Sequence, residues 1–139
     1  METKDLLIIL LPIISAVGGS YLTYYFTRKS RRDEAILRLK EEKYTTLLVL
    51  LQGFMGQTAS GEMKRKFLEE QYRSWIYASD DVVLMINRMI QHIIDLDGKT
   101  PKKGEGQKLV GEIVLAMRKD LLGKTSLSFS NFHYTSVIE

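Results

Sequence analysis

The sequence predicts an all-α protein in which one N-terminal transmembrane helix is followed by a small cytoplasmic helical bundle. Three observations lead to this fold class. Residues 6–26 carry no formal charge, later apolar residues recur at intervals of three and four, and no stretch alternates apolar with polar residues. A chain of 139 residues is about one domain. We divide it into a transmembrane helix at 1–27, a basic juxtamembrane segment at 28–32 and a cytoplasmic helical domain at 33–139.

The uncharged run has the length of a membrane span. Its 21 residues include 11 of Leu, Ile, Val or Phe, and a helix of that length covers about 30 Å, the thickness of a bilayer core. A cleaved signal peptide usually has a shorter apolar core, and here the preceding residues include the acids Glu2 and Asp5. A buried helix of a small soluble protein is rarely apolar on every side. We therefore expect a span that is retained.

Four cations follow the span within six residues, and they predict its orientation: Arg28, Lys29, Arg31 and Arg32. Positive charge favours the cytoplasmic side, so the N-terminus should lie outside and the C-terminal domain in the cytoplasm. We expect these cations to bind anionic lipid headgroups. Residues 33–139 hold 15 Lys or Arg and 15 Asp or Glu, so the basicity points to membrane lipid and gives no strong nucleic-acid signature.

Small and weakly polar residues interrupt the bulky span at helical spacing: Ser15, Ala16, Gly19, Ser20 and Thr23. Such residues allow two membrane helices to approach closely, and the hydroxyls can line a narrow channel. They are the candidates for helix–helix packing or pore lining, and they favour a homo-oligomer. Simple dimerisation without a pore explains the same residues.

The remaining helices follow from periodicity and turn residues. A stripe from Leu37 to Met55 predicts a first cytoplasmic helix, which either starts separately near Ser30 or continues from the span. Glycines between 53 and 61 mark a turn, and a helical run follows over about 62–96. Ser79 could cap a second helix inside this run, which allows a kink there. Residues 97–104 form a loop, and a last helix runs from about Glu105 to Leu122 with Gly123 as its stop. The tail, 125–139, contains one turn of helix or an extended segment. The expected core aromatics are Tyr44, Phe54, Phe67 and Trp75.

The sequence contains little that suggests catalysis. Cysteine is absent, only two histidines occur, and no glycine-rich phosphate loop is present. The acid pairs fit helix caps and solvated helix faces, Glu69–Glu70 among the latter. We therefore predict no catalytic residue, no metal and no cofactor.

Two polar pairs remain as candidates. Arg88 and His92 are spaced i, i+4 and so share a helix face. They could hold a phosphate or act in RNA cleavage, and they could equally form a surface pair or contact a neighbouring subunit. Arg118 and Asp120 cannot face each other at i, i+2, so we expect any pairing to be with another helix, as a buried or intersubunit ion pair.

The chain resembles a group of small bacterial membrane proteins in two segments, Trp75-Ile-Tyr-Ala-Ser-Asp80 and Met117-Arg-Lys-Asp-Leu121. Its layout is similar to that of the pore-forming membrane accessory proteins of type VI-B, RNA-targeting CRISPR systems. The resemblance implies a ring-shaped oligomer that depolarises the bacterial inner membrane in antiviral defence, and a HEPN-like cytoplasmic domain. It also implies a CRISPR effector or an RNA-derived signal as partner. The nuclease-like signature of that family separates arginine from histidine by four to six residues, whereas three separate Arg88 from His92.

We therefore expect a membrane-anchored oligomeric effector that forms or gates a pore, and no enzyme. The alternative is a membrane-tethered helical scaffold that recruits a cytoplasmic protein. A HEPN-type ribonuclease is disfavoured by the spacing of Arg88 and His92 and by the neutral domain.

Overall fold

A computed structural model describes residues 3–54, 60–99, 102 and 104–133, and within these ranges it is helical, with no strand. Four α-helices follow in order: α1 Thr3–Leu51, α2 Gly61–Tyr77, α3 Asp80–Leu96 and α4 Glu105–Leu122. Among the described residues, short 3-10 turns lie at Gln52–Phe54 and Phe129–Asn131. The predicted all-α class is confirmed. The chain divides into two compact units, Met1–Arg38 and Leu39–Glu139, whereas the sequence suggested a boundary at residue 33.

Helix α1 is unbroken through Ser30, so a separate helix starting at that residue does not form. Pro12 lies inside α1, where it lacks the backbone N–H of other residues and its ring crowds the carbonyl four residues earlier. Residues 34–43 are mostly good helix formers, so α1 continues without a break to Tyr44, the first core residue in the chain.

Gly53 lies in the 3-10 turn that follows α1 and packs against the first turn of α2. A β-carbon on Gly53 would lie 2.6 Å from the β-carbon of Met63, so only glycine fits at this close approach. The backbone N–H of Ser60 donates to the carbonyl of Gly53 at 3.1 Å, and the Ser60 side chain caps α2. Gly56, which the sequence also placed in this turn, lies outside the described residues.

Helices α2 and α3 are separated at Ala78 and Ser79, where the sequence allowed a second start. Asp97, whose φ of 44° is left-handed, caps the C-terminus of α3, and Gly123, with a φ of 77°, caps that of α4. A residue without a β-carbon adopts that conformation at little cost, which makes Gly123 an effective stop. The predicted bounds of α4, Glu105 and Leu122, are confirmed.

All four helices contribute to one core within the second unit. Its fully buried side chains include Tyr44 and Leu47 of α1, Phe67 of α2 and Ile86 of α3, with Ile113 of α4. Phe54 packs edge-on against Phe67, with ring centroids 5.2 Å apart, so three of the four expected core aromatics are in or against the core.

Trp75 is the exception, because 62% of its surface is exposed. It shares α2 with Phe67, but eight residues of helix turn its side chain about 80° away from that of Phe67. The expectation that Trp75 belongs to the core is therefore wrong.

The tail contains one short helical turn, as the sequence allowed. Phe132 packs against the core, and the rings of Phe129 and Phe132 lie over Gly111 of α4. A β-carbon at Gly111 would meet Phe132 at 3.0 Å. The last part of the predicted tail, 134–139, lies outside the described residues.

Candidate membrane-anchoring and interaction surfaces

One helix of the described chain, α1, is long and apolar enough to cross a membrane. An 18-residue stretch of this helix is strongly apolar, and none of that stretch is buried. Ile8, Leu11, Val17 and Phe26 are each more than 60% exposed. A core helix of a soluble protein has a similar composition but is mostly buried, so the exposure argues against that interpretation of α1.

The small-residue stripe lies on one side of α1. Ser15, Ala16, Gly19, Ser20 and Thr23 are all exposed and fall within a 140° sector at 100° per residue. The hydroxyl of Ser15 donates to the carbonyl of Pro12 at 2.9 Å, so its proton needs no partner outside the helix. No atom lies within 4 Å of a β-carbon built on Gly19, so a larger side chain there meets no obstacle within the chain.

The four cations after this stretch are exposed in the same helix: Arg28, Lys29, Arg31 and Arg32. The exposed aromatic rings of Tyr21, Tyr24 and Tyr25 precede them by one to two turns. Three of the cations and all three rings line one shallow surface groove of α1. Tyrosine next to Lys or Arg is the arrangement typical of a membrane–water interface.

Arg88 and His92 lie on the side of α3 that faces α4, where each approaches a glutamate. The guanidinium of Arg88 is 3.7 Å from the carboxylate of Glu112, and Nε2 of His92 is 3.5 Å from that of Glu105. The second distance is too long for a good hydrogen bond, and Nε2 of His92 is buried without a hydrogen-bond partner. With Lys108, these residues line a pocket that contains two cations, two carboxylates and one histidine.

This charge balance disfavours a phosphate site at Arg88 and His92. A phosphate would have to displace the two glutamates or accept their repulsion, because both carboxylates lie on the same pocket as the cations. Arg88 and Glu112 instead link α3 to α4 as an ion pair. The other histidine, His133, is exposed and lies in the tail.

Asp120 pairs with residues of α1, as expected because Arg118, two positions earlier on α4, cannot face it. Both of its carboxylate oxygens accept from the ammonium of Lys40 at 2.9 Å, and one also accepts from the phenol of Tyr44. The side chains of Lys40 and Asp120 are 19% and 11% exposed, so the pair is largely buried. Arg118 is exposed on α4. The two residues therefore have different environments: Arg118 faces solvent, and Asp120 links α4 to α1 within the protein.

Sequence reasoning missed a buried acid on α2. Glu70 is 7% exposed, whereas its neighbour Glu69 lies at the surface as expected. Arg73 donates to one carboxylate oxygen of Glu70 at 3.1 Å, and the ammonium of Lys43 lies 3.6 Å from the other. The prediction that both glutamates lie on a solvated helix face is thus wrong for Glu70. Consecutive residues of a helix point in directions about 100° apart, so one glutamate can be exposed while the next is buried.

The orientation of α2 is the other feature that the sequence did not reveal. Its buried positions are Phe67, Glu70, Gln71 and Ser74, and three of these four residues are polar. The apolar residues Leu68, Tyr72, Trp75 and Ile76 are 41%, 75%, 62% and 87% exposed. Helix α2 therefore turns its more polar side toward the core and its apolar side to solvent.

No family model matches this chain, and the searches of curated proteins and of solved structures found no significant match. Among the residues that the structure describes, no group of three or more His, Asp or Glu side chains is arranged to hold a metal ion.

Proposed function

We propose that this protein is a membrane-anchored oligomeric effector that forms or gates a pore in the bacterial inner membrane. In this proposal α1 crosses the membrane with its N-terminus outside, and the helical domain lies in the cytoplasm. The observation that carries it is the exposed apolar stretch of α1, which ends at Phe26 and is followed within six residues by four cations.

Transfer energetics support the anchoring. Eleven Leu, Ile, Val or Phe residues lie within 6–26, and each favours insertion by about 0.3–0.6 kcal/mol. Each cation near an anionic surface adds about 1 kcal/mol of attraction. The two contributions fix the depth and direction of α1 together, because the cations resist transfer through the membrane.

The small-residue stripe supports assembly through the span. Hydrophobicity does not drive helices together in lipid, but close packing does, and glycine at position 19 allows close approach. Since the Ser15 proton is already bonded to Pro12, its hydroxyl oxygen faces a channel or a neighbouring helix only as an acceptor. Ser20 and Thr23 are the other hydroxyls on that side.

The antiviral part of the proposal is supported by the resemblance to the membrane accessory proteins of type VI-B CRISPR systems. That resemblance also supports a HEPN-like relationship for the helical domain and a CRISPR effector or an RNA-derived signal as the activating partner. A ribonuclease role is disfavoured, because Glu105 and Glu112 lie beside His92 and Arg88.

Topology is tested by protease digestion of spheroplasts that express the chain with a tag at Glu139. The tag should be protected in the wild type and become accessible in part of the population when Arg28, Lys29, Arg31 and Arg32 are neutralised. Digestion of the tag in intact wild-type spheroplasts contradicts the proposed orientation.

Pore formation is tested by ion leakage from vesicles and by the mass of the detergent-solubilised protein. Gly19→Leu should lower both, while Val17→Leu, on the opposite side of α1, should lower neither. Both residues are exposed, so neither variant disturbs the fold. Wild-type leakage and mass in Gly19→Leu mean that the small-residue stripe is not the contact.

The second candidate is a membrane-tethered scaffold that recruits a cytoplasmic protein. The exposed apolar side of α2 favours it, because such a surface suits protein binding. This function would be favoured over pore formation if a soluble partner copurified in stoichiometric amount and the protein caused no ion leakage.

A further inference from the structure

The apolar side of α2 is a continuous stripe. Leu68, Tyr72, Trp75 and Ile76 have the spacing i, i+4, i+7 and i+8, which places them along one side of the helix. We call these four residues the α2 face. Soluble surfaces usually expose apolar residues singly, and a contiguous exposed patch with Trp and Tyr is typical of an interaction site.

A groove of about 340 Å³ between α2 and α3 extends the α2 face. Ile90 of α3 lines it, together with Gln71 and Asn87. The amide of Gln71 donates to the carbonyl of Asn87 at 3.3 Å, so the two polar side chains bond to each other. The groove thus presents apolar surface beside two polar side chains that are hydrogen-bonded to each other.

We infer that the α2 face binds the same face of a second copy of this chain. This inference rests on the proposed oligomeric effector. A two-fold contact closes at two copies, so it pairs cytoplasmic domains, and contacts between the spans join further copies. A two-fold contact needs a surface that is complementary to itself, and an apolar stripe flanked by both signs of charge meets that condition.

The exposed area fits a pairwise contact. With about 150–250 Å² per large side chain, the exposed fractions of the four residues sum to roughly 500 Å². A standard interface takes about 800 Å² from each partner, and a polar rim supplies the difference. The charged residues beside the face provide that rim.

The charges of the rim favour a second copy over a lipid surface. Arg65 pairs with Glu69 at 3.9 Å, and Lys66 pairs with Glu62 at 2.7 Å along the same helix. A helix that lies on an anionic membrane carries mainly Lys and Arg on its polar side, whereas this rim carries both signs. Two copies that share one membrane also meet at a raised effective concentration.

Crosslinking tests the inference directly, because the native chain contains no cysteine. Tyr72→Cys places a single thiol in the middle of the α2 face, and Leu122→Cys places one on α4 at a position that is also exposed, by 59%. Membranes containing either full-length variant are treated with a short bifunctional maleimide. Tyr72→Cys should give a product of twice 16.0 kDa, and Leu122→Cys should not.

A second substitution removes the contact without touching the span. Adding Ile76→Arg to Tyr72→Cys should lower the crosslinked fraction at least about tenfold, the loss expected when a central anchor is replaced by a buried charge. Unchanged helical circular dichroism confirms that the variant is folded. Equal crosslinking of Tyr72→Cys and Leu122→Cys overturns the inference, and so does a Tyr72→Cys product of any mass other than a dimer's.

The single tryptophan separates a second copy from lipid. Trp75 lies within the α2 face, so brominated lipids in vesicles should leave its fluorescence unchanged if another copy covers it. Strong quenching by brominated lipids overturns the inference in favour of a membrane-bound α2. Ion leakage tests the proposed function independently. Crosslinked dimers of Tyr72→Cys without leakage contradict the proposed pore, whereas leakage without those dimers contradicts the α2 contact.

Discussion

The phenol of Tyr44 in α1 donates a hydrogen bond to the carboxylate of Asp120 in α4, across 76 residues of sequence. Lys40, one turn before Tyr44, bonds both oxygens of the same carboxylate. The carboxylate of Asp120 therefore accepts three hydrogen bonds from two donor groups of α1, and these bonds tie the end of α4 to α1. A second phenol, that of Tyr77, lies beside it, with ring centroids 5.9 Å apart, but its hydroxyl is buried without a partner.

These two tyrosines should respond oppositely to loss of the hydroxyl. Tyr44→Phe removes a donor from a buried carboxylate and should cost about 1–3 kcal/mol of stability. Tyr77→Phe removes a hydroxyl that has no partner, so it should leave stability unchanged or raise it. Thermal unfolding of the full-length protein in mild detergent measures both, and an equal loss in the two variants contradicts the assignment of Asp120 as the acceptor.

The same phenols predict a loss of stability at alkaline pH. Burial, together with the charge of Glu70, raises the pKa of Tyr77 to about 12 from an ordinary 10.0, and burial with the hydrogen bond to Asp120 raises the pKa of Tyr44 further. The folded state thus holds both protons more tightly than the unfolded chain. This stability is fully present below pH 10.0 and is lost as the pH rises through the folded pKa values.

Unfolding midpoints measured from about pH 9 to about pH 12 test this dependence. The wild-type midpoint should fall over that range, and Tyr77→Phe should make the fall shallower because one of the two groups no longer titrates. An identical slope in both proteins contradicts the pKa shift of Tyr77.

The opposite environments of Phe67 and Trp75 predict a contrast between two aromatic truncations of α2. Phe67 is fully buried, so Phe67→Ala should cost about 3–5 kcal/mol through lost burial and the cavity left behind. Trp75→Ala should leave the unfolding of the dispersed protein unchanged, since the side chain is mostly exposed. A large loss of stability in Trp75→Ala, measured at high detergent concentration, would show that Trp75 belongs to the core.

Two glycines should respond in opposite directions to alanine. The β-carbon of Gly53→Ala meets the β-carbon of Met63 at 2.6 Å, and relief of that overlap should cost about 1–3 kcal/mol. Gly106 lies within α4 with no atom near its β-carbon position, so Gly106→Ala should stabilise by about 0.5–1 kcal/mol. Circular dichroism melts compare them, and tolerance of Gly53→Ala argues against the close approach of Gly53 to Met63.

Local signals in the sequence determined the helices and the candidate membrane span. The uncharged run at 6–26 and the four cations after it are consecutive residues, so no tertiary contact is needed to recognise them. The bounds of α4 were predictable for the same reason, because Gly104 and Gly123 adopt positive φ at its two ends and both lie next to the helix in sequence.

The tertiary structure decided which side of each helix faces inward. Along α2 both sides have a helical repeat, one apolar at Leu68, Tyr72 and Ile76, and one mixed at Phe67, Glu70 and Ser74. Periodicity defines such sides but does not choose between them, because the choice depends on what α1 and α3 offer across the core. Lys43 pairs with Glu70, and Asn87 bonds to Gln71. Because these polar residues have partners, the mixed side of α2 can be buried, and the apolar side remains at the surface. Asp120 was recognisable as a residue that needs a partner on another helix, but Lys40 and Tyr44 are its partners only because the packing of α1 against α4 brings residues 76 or more positions apart into contact.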